Sequence, residues 1–148
     1  YLAVTGVQTC ALPILFEITE TIEMDQIPAV QNVFKEFVKN EFRFAIDDFG
    51  TGYSNYGYMR DRTFDIVKVD RSFVTDIDKL KDNYLMVSFI IKMAHEMGLH
   101  VCIEGVETKE ELSCVKKLGA DYIQGYYYGK PVCLQDFEEQ HLKRFVLG

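Results

Sequence analysis

FAIDDFGTGYS, residues 44–54, joins an apolar strand to two adjacent carboxylates and a glycine-rich turn. Side chains alternate between faces along a regular strand, so Asp47 and Asp48 cannot both point inward from one. We therefore predict that they lie where the strand ends, and that Gly50 and Gly52 let the backbone bring both carboxylates to one side. Two hard oxygen ligands at a strand end are typical of a divalent-metal site. An aspartate-rich turn has the same appearance, so this stretch by itself leaves both interpretations open.

Strand and helix patterns alternate on both sides of this stretch. Apolar runs predict strands over residues 15–18, 42–46, 65–69, 99–103 and 122–124. Helical spacing of apolar residues, with Thr108 as an N-cap and Gly98 and Gly119 as C-caps, predicts helices over residues 27–40, 53–59, 82–97, 109–118 and 134–145. This alternation indicates parallel βαβ units with a sheet covered on both faces. The helical positions predicted to lie in the core include Leu80, Tyr84, Val87 and Ile91.

An ionisable or amide side chain lies at or near the C-terminal end of every predicted strand. In chain order these residues are Glu17 and Glu20, Asp47 and Asp48, Lys68 and Asp70, Glu104 and Glu107, and Gln124. Active sites of (β/α)8 barrels are built from the C-terminal ends of many strands, whereas an open doubly wound sheet gathers ligands at one switch point. Contributions from five successive strands favour the barrel. Five strands do not close a barrel, so we expect the missing strands to lie upstream of Leu15.

Lys68 and Glu104 carry the strongest chemical expectations. Lys68 lies inside the apolar strand DIVKV, where an unpaired ammonium is costly to bury, so we predict carboxylate or phosphate neighbours. It is either a structural ion pair or a group that orients a metal-bound water and stabilises charge on a phosphoryl group. Glu104 follows an apolar strand and precedes Gly105, where a carboxylate can bind a metal ion or act as a base.

The other strand-end residues are weaker candidates. Glu17 fits an exposed carboxylate as well as a ligand. Glu20 is interpreted as a helper that accepts backbone N–H bonds, and Glu107 as a favourable charge before a helix. Gln124 is either a supporting contact or a satisfied amide. The tyrosines at 126–128 can stack on a base, although aromatic residues there more often pack against the rim.

Composition restricts the kinds of partner. A chain of 148 residues with 48% hydrophobic content suits one globular domain. A net charge of −7 argues against a nucleic-acid polymer or an anionic membrane surface as the main partner, since either requires a basic face. A transmembrane helix requires an apolar run of about 18 residues or more, and none occurs. Membrane contact by this segment is therefore not expected.

The cysteines and histidines lack the spacing of a zinc site. The cysteines are Cys10, Cys102, Cys114 and Cys133, and the histidines are His95, His100 and His141. We predict reduced thiols in a cytosolic protein and structural roles for the histidines.

Residues 1–14, YLAVTGVQTCALPI, do not fit a signal peptide, because they lack a charged n-region and polar residues and a proline interrupt their apolar run. The segment VTGVQTCALPI instead resembles the in-frame translation of a sequencing-adapter oligonucleotide. We therefore expect residues 1–14 to be a non-native leader, and the domain to occupy residues 15–148.

Five ordered motifs resemble the EAL-domain cyclic-di-GMP phosphodiesterases. They are EITE at 17–20, DDFGTGYS at 47–54, DIVKVDRSFV at 65–74, IEGVET at 103–108 and QGYYYGKP at 124–131. The resemblance runs from Leu15 to the C-terminus and corresponds to the C-terminal portion of that domain. It implies a (β/α)8 TIM barrel, here a partial barrel of about five βα units. It also implies a reaction in which two Mg²⁺ or Mn²⁺ ions activate water to hydrolyse cyclic di-GMP to linear pGpG.

The resemblance implies roles for the residues at the strand ends. Glu17 and Asp47 would bind one metal ion, and Asp47 would also bridge to the second. Asp48 would bind that second ion, and Lys68 would contact the attacking water. Glu104 would act as general base or as a water-mediated metal partner.

Four further residues would bind substrate or support the site: Glu20, Asp70, Gln124 and Pro131. Glu20 would brace the DDFG loop, a region that in this family also contributes to homodimer contacts. The resemblance further implies cyclic di-GMP as ligand, a cytoplasmic location, including that of the cytoplasmic part of a membrane-tethered parent, and sensory or cyclase-like domains in that parent.

One departure from the family is large. Its signature Glu-Ala-Leu stretch, with a metal-binding Glu and a phosphate-binding Arg, does not occur in these 148 residues, and its Asn ligand is also absent. We therefore expect an incomplete first metal site and little or no activity from this segment alone. The leading interpretation is part of an active phosphodiesterase. The alternatives are a non-catalytic cyclic-di-GMP receptor or protein-interaction module with a degenerate EAL barrel, and an unrelated half-barrel.

Overall fold

Five parallel strands form one sheet whose strand order follows the chain. The computed structural model describes residues 15–19, 28–40, 42–51 and 64–137. The strands are β1 (Leu15–Thr19), β2 (Arg43–Phe49), β3 (Ile66–Val69), β4 (His100–Ile103) and β5 (Tyr122–Ile123), each paired in parallel with the next. The strands predicted from apolar runs are confirmed, with small differences at their ends.

Helices lie between and after these strands. Within the described ranges they are α1 (Pro28–Lys39), α2 (Lys81–Glu96), α3 (Lys109–Leu118) and α4 (Leu134–Phe137), with a 3₁₀ turn at Arg71–Phe73. The prediction for α3 is confirmed, because the Thr108 side chain accepts a bond from the Glu111 backbone N–H and Gly119 ends the helix at φ 89°. The predicted helix over 53–59 and the part of the last helix beyond Phe137 lie outside the described residues.

Parallel pairing places the C-terminal ends of all five strands along one edge of the sheet. Lys68 of β3 pairs with Cys102 of β4, and Ile103 of β4 pairs with Ile123 of β5. Together with the intervening helices, this is a partial α/β barrel, as predicted. Side chains at the strand ends therefore meet, although they are far apart in sequence.

Two layers of apolar side chains cover opposite faces of the sheet. The larger layer combines strand and α2 residues, among them Val67, Val69, Val101, Val87 and Ile91. The smaller layer contains Ala45, Ile66 and Cys102, with Leu15 and Tyr122 packed against it. Complete burial of a Val or Ile side chain stabilises by roughly 1.5–3 kcal/mol, so the larger layer makes the greater contribution to stability.

Burial differs from the prediction at two places. β1 belongs to a sheet that was expected to be covered on both faces, but Phe16 is 36% exposed and Glu17 is also exposed, because β1 has one neighbouring strand in the described sheet. In α2, Val87 is buried as predicted, whereas Tyr84 is 36% exposed, and Leu80, directly before the helix, is 51% exposed. The buried face of α2 begins at Val87, and the turn before it lies outside the core.

At the opposite edge of the sheet, where the strands begin, Asp121 contacts two histidines. Its Oδ2 accepts a bond from the Val101 backbone N–H at 2.8 Å and lies 2.8 Å from His95 Nε2. Its Oδ1 lies 3.4 Å from His100 Nδ1. Both histidines were predicted to be structural, and their shared contact with Asp121 fits such a role.

Candidate metal and catalytic centre

A layer of polar side chains lies directly beyond the smaller apolar layer. Residues two apart on a strand face the same side. On each strand, the residue two positions after an apolar residue of that layer is polar, and the pairs are Leu15 and Glu17, Ala45 and Asp47, Ile66 and Lys68, Cys102 and Glu104, and Tyr122 and Gln124. One face of the sheet therefore changes from apolar to polar at the same level on all five strands.

The two aspartates of FAIDDFGTGYS are presented by a bulge in β2. They lie inside the strand, not after it as predicted, and the pairing register shifts between Ile46 and Phe49. Asp48 itself takes a left-handed backbone with φ 53°, a conformation that aspartate tolerates better than most residues. This backbone, and not the glycines alone, brings Asp48 beside Asp47. Gly50 has φ 96°, while Gly52 lies outside the described residues.

Lys68 is the centre of an ion-pair cluster. Its Nζ lies 2.8 Å from Asp47 Oδ1, 2.8 Å from Glu104 Oε1 and 2.9 Å from Glu17 Oε1, and its side chain is 7% exposed. Burial alone would lower the pKa of Lys68, but the hydrogen bonds to the three carboxylates raise it well above its ordinary value. The predicted carboxylate neighbours of Lys68 are thus confirmed, and the ammonium stays charged.

Glu104 responds differently to the same contact. Burial raises its pKa above the ordinary value, and the nearby charges of Asp47 and Glu17 act in the same direction. The hydrogen bond from Lys68 lowers it, but not enough to reverse the shift. Glu104 therefore holds a proton more readily than an ordinary glutamate, because its pKa is raised.

Three carboxylates meet the requirements of a divalent-metal site. Asp47, Asp48 and Glu104 each offer an oxygen, and these oxygens lie within 4.8 Å of one another. We call these residues the carboxylate trio. Hard oxygen donors are the ligands that Mg²⁺ and Mn²⁺ prefer, so the donor set fits such ions. Cys102 lies on the neighbouring strand, but burial raises the pKa of its thiol to about 12, so it stays protonated.

A cavity of about 200 Å³ opens beside the trio. Its lining includes Glu104, Asp70, Gln124, Arg71 and Tyr126. Asp70 also caps the 3₁₀ turn, because its Oδ1 accepts the Ser72 backbone N–H at 2.9 Å. The structure thus brings Asp70 and Gln124 next to Glu104, as expected from the strand-end pattern.

The structure does not bring Pro131 to this centre. Pro131 is exposed and is not part of the cavity lining. Glu20 lies outside the described residues. Of the predicted metal ligands, Glu17 reaches the cluster through Lys68 and is not a member of the carboxylate trio. The roles assigned to all of these residues stay predictions.

Glu111 was missed by the sequence-based reasoning. Its buried carboxylate accepts backbone N–H bonds from Asp76 at 3.1 Å, Glu107 at 2.9 Å and Thr108 at 3.0 Å. Burial raises its pKa, but these bonds outweigh burial and lower it below the ordinary value. Glu111 thereby ties the segment after β3 to the loop after β4, which carries Glu104. Its place three residues after Thr108 was a capping-box signal that could have identified it.

Gly105 allows these two segments to approach each other. It has φ 71°, and a Cβ at this position would clash with Arg71 Cβ and lie 3.1 Å from Arg71 Cα. No side chain fits there without moving the segment after β3. Glycine therefore lets the loop that carries Glu104 lie against Arg71.

Two other expectations concern the whole chain. No helix in the described ranges is both long and apolar enough to cross a membrane. The described cysteines, Cys102, Cys114 and Cys133, are all free thiols.

The chain is similar to proteins of a known family. The EAL domain family profile matches residues 7–131 of this chain. The cyclic di-GMP phosphodiesterase PdeB of Shewanella oneidensis is 35% identical over 133 residues, which are 90% of this chain and 16% of PdeB.

Solved structures show the same relationship. The EAL enzyme Bd1971, in its cAMP- and cyclic-di-GMP-bound form, is 38% identical with a TM-score of 0.78, over 85% of this chain and 33% of that one. BlrP1 of Klebsiella pneumoniae, in a manganese and cyclic-di-GMP complex, is 32% identical with a TM-score of 0.71, over 79% of this chain and 30% of that one. The chain therefore spans a third or less of the length of these relatives.

Proposed function

This chain belongs to the EAL domain family, and on that premise we propose that its strand-end cluster serves the metal-dependent hydrolysis of cyclic di-GMP to linear pGpG. One observation carries the proposal: the buried Lys68 ammonium contacts Asp47 and Glu104, which together with Asp48 form the carboxylate trio. Carboxylates in excess of nearby cations are suited to binding further cations.

Asp47, Asp48 and Glu104 would hold the divalent ions, and Glu17 would contribute from the edge strand. Mg²⁺ or Mn²⁺ would supply Lewis-acid polarisation of the phosphodiester and would lower the pKa of a bound water. Support comes from the all-oxygen donor set and from BlrP1, a relative described as a manganese complex.

Lys68 and Glu104 have the properties of catalytic groups. Lys68 stays protonated next to the trio, so it provides a fixed positive charge toward the oxygens of a phosphodiester. The raised pKa of Glu104 makes it a better proton acceptor for a water molecule than an ordinary carboxylate. Glu104 would therefore act as general base or as a water-mediated metal partner.

The cavity beside Glu104 is the proposed place for the nucleotide. Tyr126 offers a ring on which a guanine base can stack, and Arg71 offers a cation for a phosphate. Asp70 and Gln124 supply hydrogen-bonding groups along the same wall. Glu20 and Pro131 are proposed to bind the substrate or support the site.

The proposed ligand also bears on the cellular location of the protein. A nucleotide second messenger and three free thiols in the described residues support a cytoplasmic location. We also propose homodimer contacts through the DDFG loop region and sensory or cyclase-like domains in the parent protein. The longer relatives support additional domains, because the chain covers 16% of PdeB.

The decisive experiment measures Mg²⁺-dependent conversion of cyclic di-GMP to pGpG by the domain completed with its upstream gene sequence. We expect Asp47→Ala to abolish turnover, because it removes a member of the trio and a partner of Lys68. Asp82→Ala, which alters an exposed aspartate at the start of α2, is the matched control and should retain turnover. Undiminished turnover by Asp47→Ala would refute the metal assignment.

The same experiment separates the alternatives. Cyclic-di-GMP binding without hydrolysis by the completed wild-type domain would favour the non-catalytic receptor. The segment of residues 15–148 alone is expected to show little or no activity, and sustained turnover by it would contradict that expectation.

A further inference from the structure

We propose that Lys68 acts as an internal counter-cation: it keeps the carboxylates assembled in the absence of divalent ions and weakens the binding of those ions to the same carboxylates. The identity of the ions as Mg²⁺ or Mn²⁺ rests on the proposed function. The competition itself rests on contacts within this chain and does not involve a nucleotide.

The Lys68 ammonium has as many carboxylate partners as it has N–H donors. Lys68 Nζ has three N–H donors, and three carboxylate oxygens lie within 2.9 Å of it, from Glu17, Asp47 and Glu104. All residues of β3 are buried, and the Lys68 side chain is 7% exposed, so the ammonium is largely shielded from water. In the protein without divalent ions, Lys68 is therefore a common partner of β1, β2 and the loop after β4.

Charge in this region is not balanced. Three carboxylates, those of Glu17, Asp47 and Glu104, contact the Lys68 ammonium, and an oxygen of Asp48 lies within 4.8 Å of oxygens of Asp47 and Glu104, so the carboxylates of this described cluster outnumber the ammonium that they share. Without Lys68, Glu17, Asp47 and Glu104 would lose the ammonium that all three contact, and their charges would repel one another. The cluster thus needs Lys68 when it lacks other cations, and it attracts divalent ions even when Lys68 is present.

Lys68 and a divalent ion would contact two of the same carboxylates. Asp47 and Glu104 contact the ammonium and also belong to the carboxylate trio. An ion bound to the trio would draw on the same carboxylate charge and would be repelled by the nearby ammonium. Removal of the positive charge of Lys68 should therefore strengthen ion binding, although it weakens the ion-free protein.

The test is a comparison of wild type with Lys68→Met, which keeps a long apolar stem and removes the charge. Mn²⁺ binding to the full 148-residue chain is measured by calorimetry, and thermal unfolding is followed by circular dichroism in EDTA and in Mn²⁺. We expect Lys68→Met to bind Mn²⁺ at least about tenfold more tightly. Its melting temperature should be lower than that of wild type in EDTA, and Mn²⁺ should raise it by more than in wild type.

Lys79→Met is the matched control. Lys79 is an exposed lysine that pairs with Asp76 at 2.6 Å, away from the trio, so its loss should leave Mn²⁺ affinity unchanged. Equal or weaker Mn²⁺ binding by folded Lys68→Met would overturn the proposal. Failure of both wild type and Lys68→Met to bind Mn²⁺ would also overturn it, whereas loss of nucleotide hydrolysis affects only the proposed function.

A second measurement avoids any risk that Lys68→Met fails to fold. In wild type, the hydrogen-bonded Lys68 ammonium should exchange its protons slowly, which nitrogen-detected NMR of lysine side chains can observe. Saturation with Mg²⁺ should accelerate this exchange, because the ion draws Asp47 and Glu104 away from Nζ. Unchanged exchange at saturating Mg²⁺ would show that ion and ammonium do not compete.

Discussion

The two edges of the sheet use buried charge in different ways. At the C-terminal edge, several carboxylates depend on Lys68, whose side chain is 7% exposed. At the N-terminal edge, the single carboxylate of Asp121 has a backbone N–H and two histidines as partners, and these histidines are open to solvent. At the first edge the carboxylates outnumber the ammonium that they contact, whereas at the second edge both oxygens of one carboxylate have partners of their own. The comparison teaches that imbalance, and not the presence of ionisable groups, marks the edge suited to bind cations.

Among the substitutions that test this difference between the two edges, we expect a glycine substitution to change the free energy of unfolding most. Gly105→Ala introduces both left-handed strain and a clash with Arg71, and we expect it to destabilise by about 3 kcal/mol or more. Gly119→Ala is the matched control at the N-terminal edge, because it has φ 89° but no atom within 4 Å of the added Cβ. It should cost about 1–2 kcal/mol, the strain alone.

Chemical unfolding would measure both variants, and Mn²⁺ titration would show whether the centre is affected. Only Gly105→Ala should also weaken Mn²⁺ binding, because Glu104 precedes it directly. Equal destabilisation by the two substitutions would show that the approach of Arg71 to the loop after β4 contributes nothing.

Glu111→Gln should have the next largest effect. Three backbone N–H groups lose a charged acceptor, and the new amide must face at least one of them with its own N–H₂, so we expect a loss of about 1–3 kcal/mol. The neighbouring Glu110 is exposed, and Glu110→Gln should change stability by less than about 0.5 kcal/mol. Urea unfolding of both variants provides the comparison, and similar stabilities would contradict the role of Glu111 in joining the two segments.

The smallest effect is expected at Asp121. Burial raises its pKa, but the Val101 N–H and the two histidines lower it to a net value below the ordinary 3.8. A carboxyl with a depressed pKa stabilises the fold above its unfolded-state pKa, and this contribution is lost as the pH falls through the folded-state pKa. Asp121→Asn should therefore be less stable than wild type near neutrality, with a difference that shrinks as the pH falls below about 4.

Unfolding curves from pH 7 to pH 3 would test this prediction at the N-terminal edge, with Mn²⁺ affinity as the second readout. Mn²⁺ affinity of Asp121→Asn should equal that of wild type. A change in affinity would break the proposed separation between the two edges.

Several features of the candidate site could be predicted from the sequence for simple physical reasons. An ammonium inside an apolar strand requires charged partners, so the carboxylate neighbours of Lys68 were foreseeable. Parallel strands bring their C-terminal ends together, so Asp47, Lys68 and Glu104 were expected at one edge. Thr108 and Gly119 bounded α3 because capping depends on local backbone geometry.

Other features depended on contacts between distant segments. The bulge that presents Asp48 lies where the pairing register of β2 with β3 shifts. The alternation rule for regular strands does not predict such a shift. The exposure of Tyr84 depends on how far the core extends along α2. Glu111 has an ordinary capping position in sequence, but its bond to Asp76 joins residues 35 positions apart.

The sequence by itself determined the strand order, the polar group at each strand end and the EAL domain family, because these depend on side-chain type and spacing along the chain. Only the tertiary structure decided that Lys68 is shared by three carboxylates and that Asp48 lies beside Asp47 through its own left-handed backbone. It also decided that Glu111 joins the segment after β3 to the loop after β4. The reason is that ion pairing, bulges and long-range hydrogen bonds depend on distances set by packing, which no local pattern specifies.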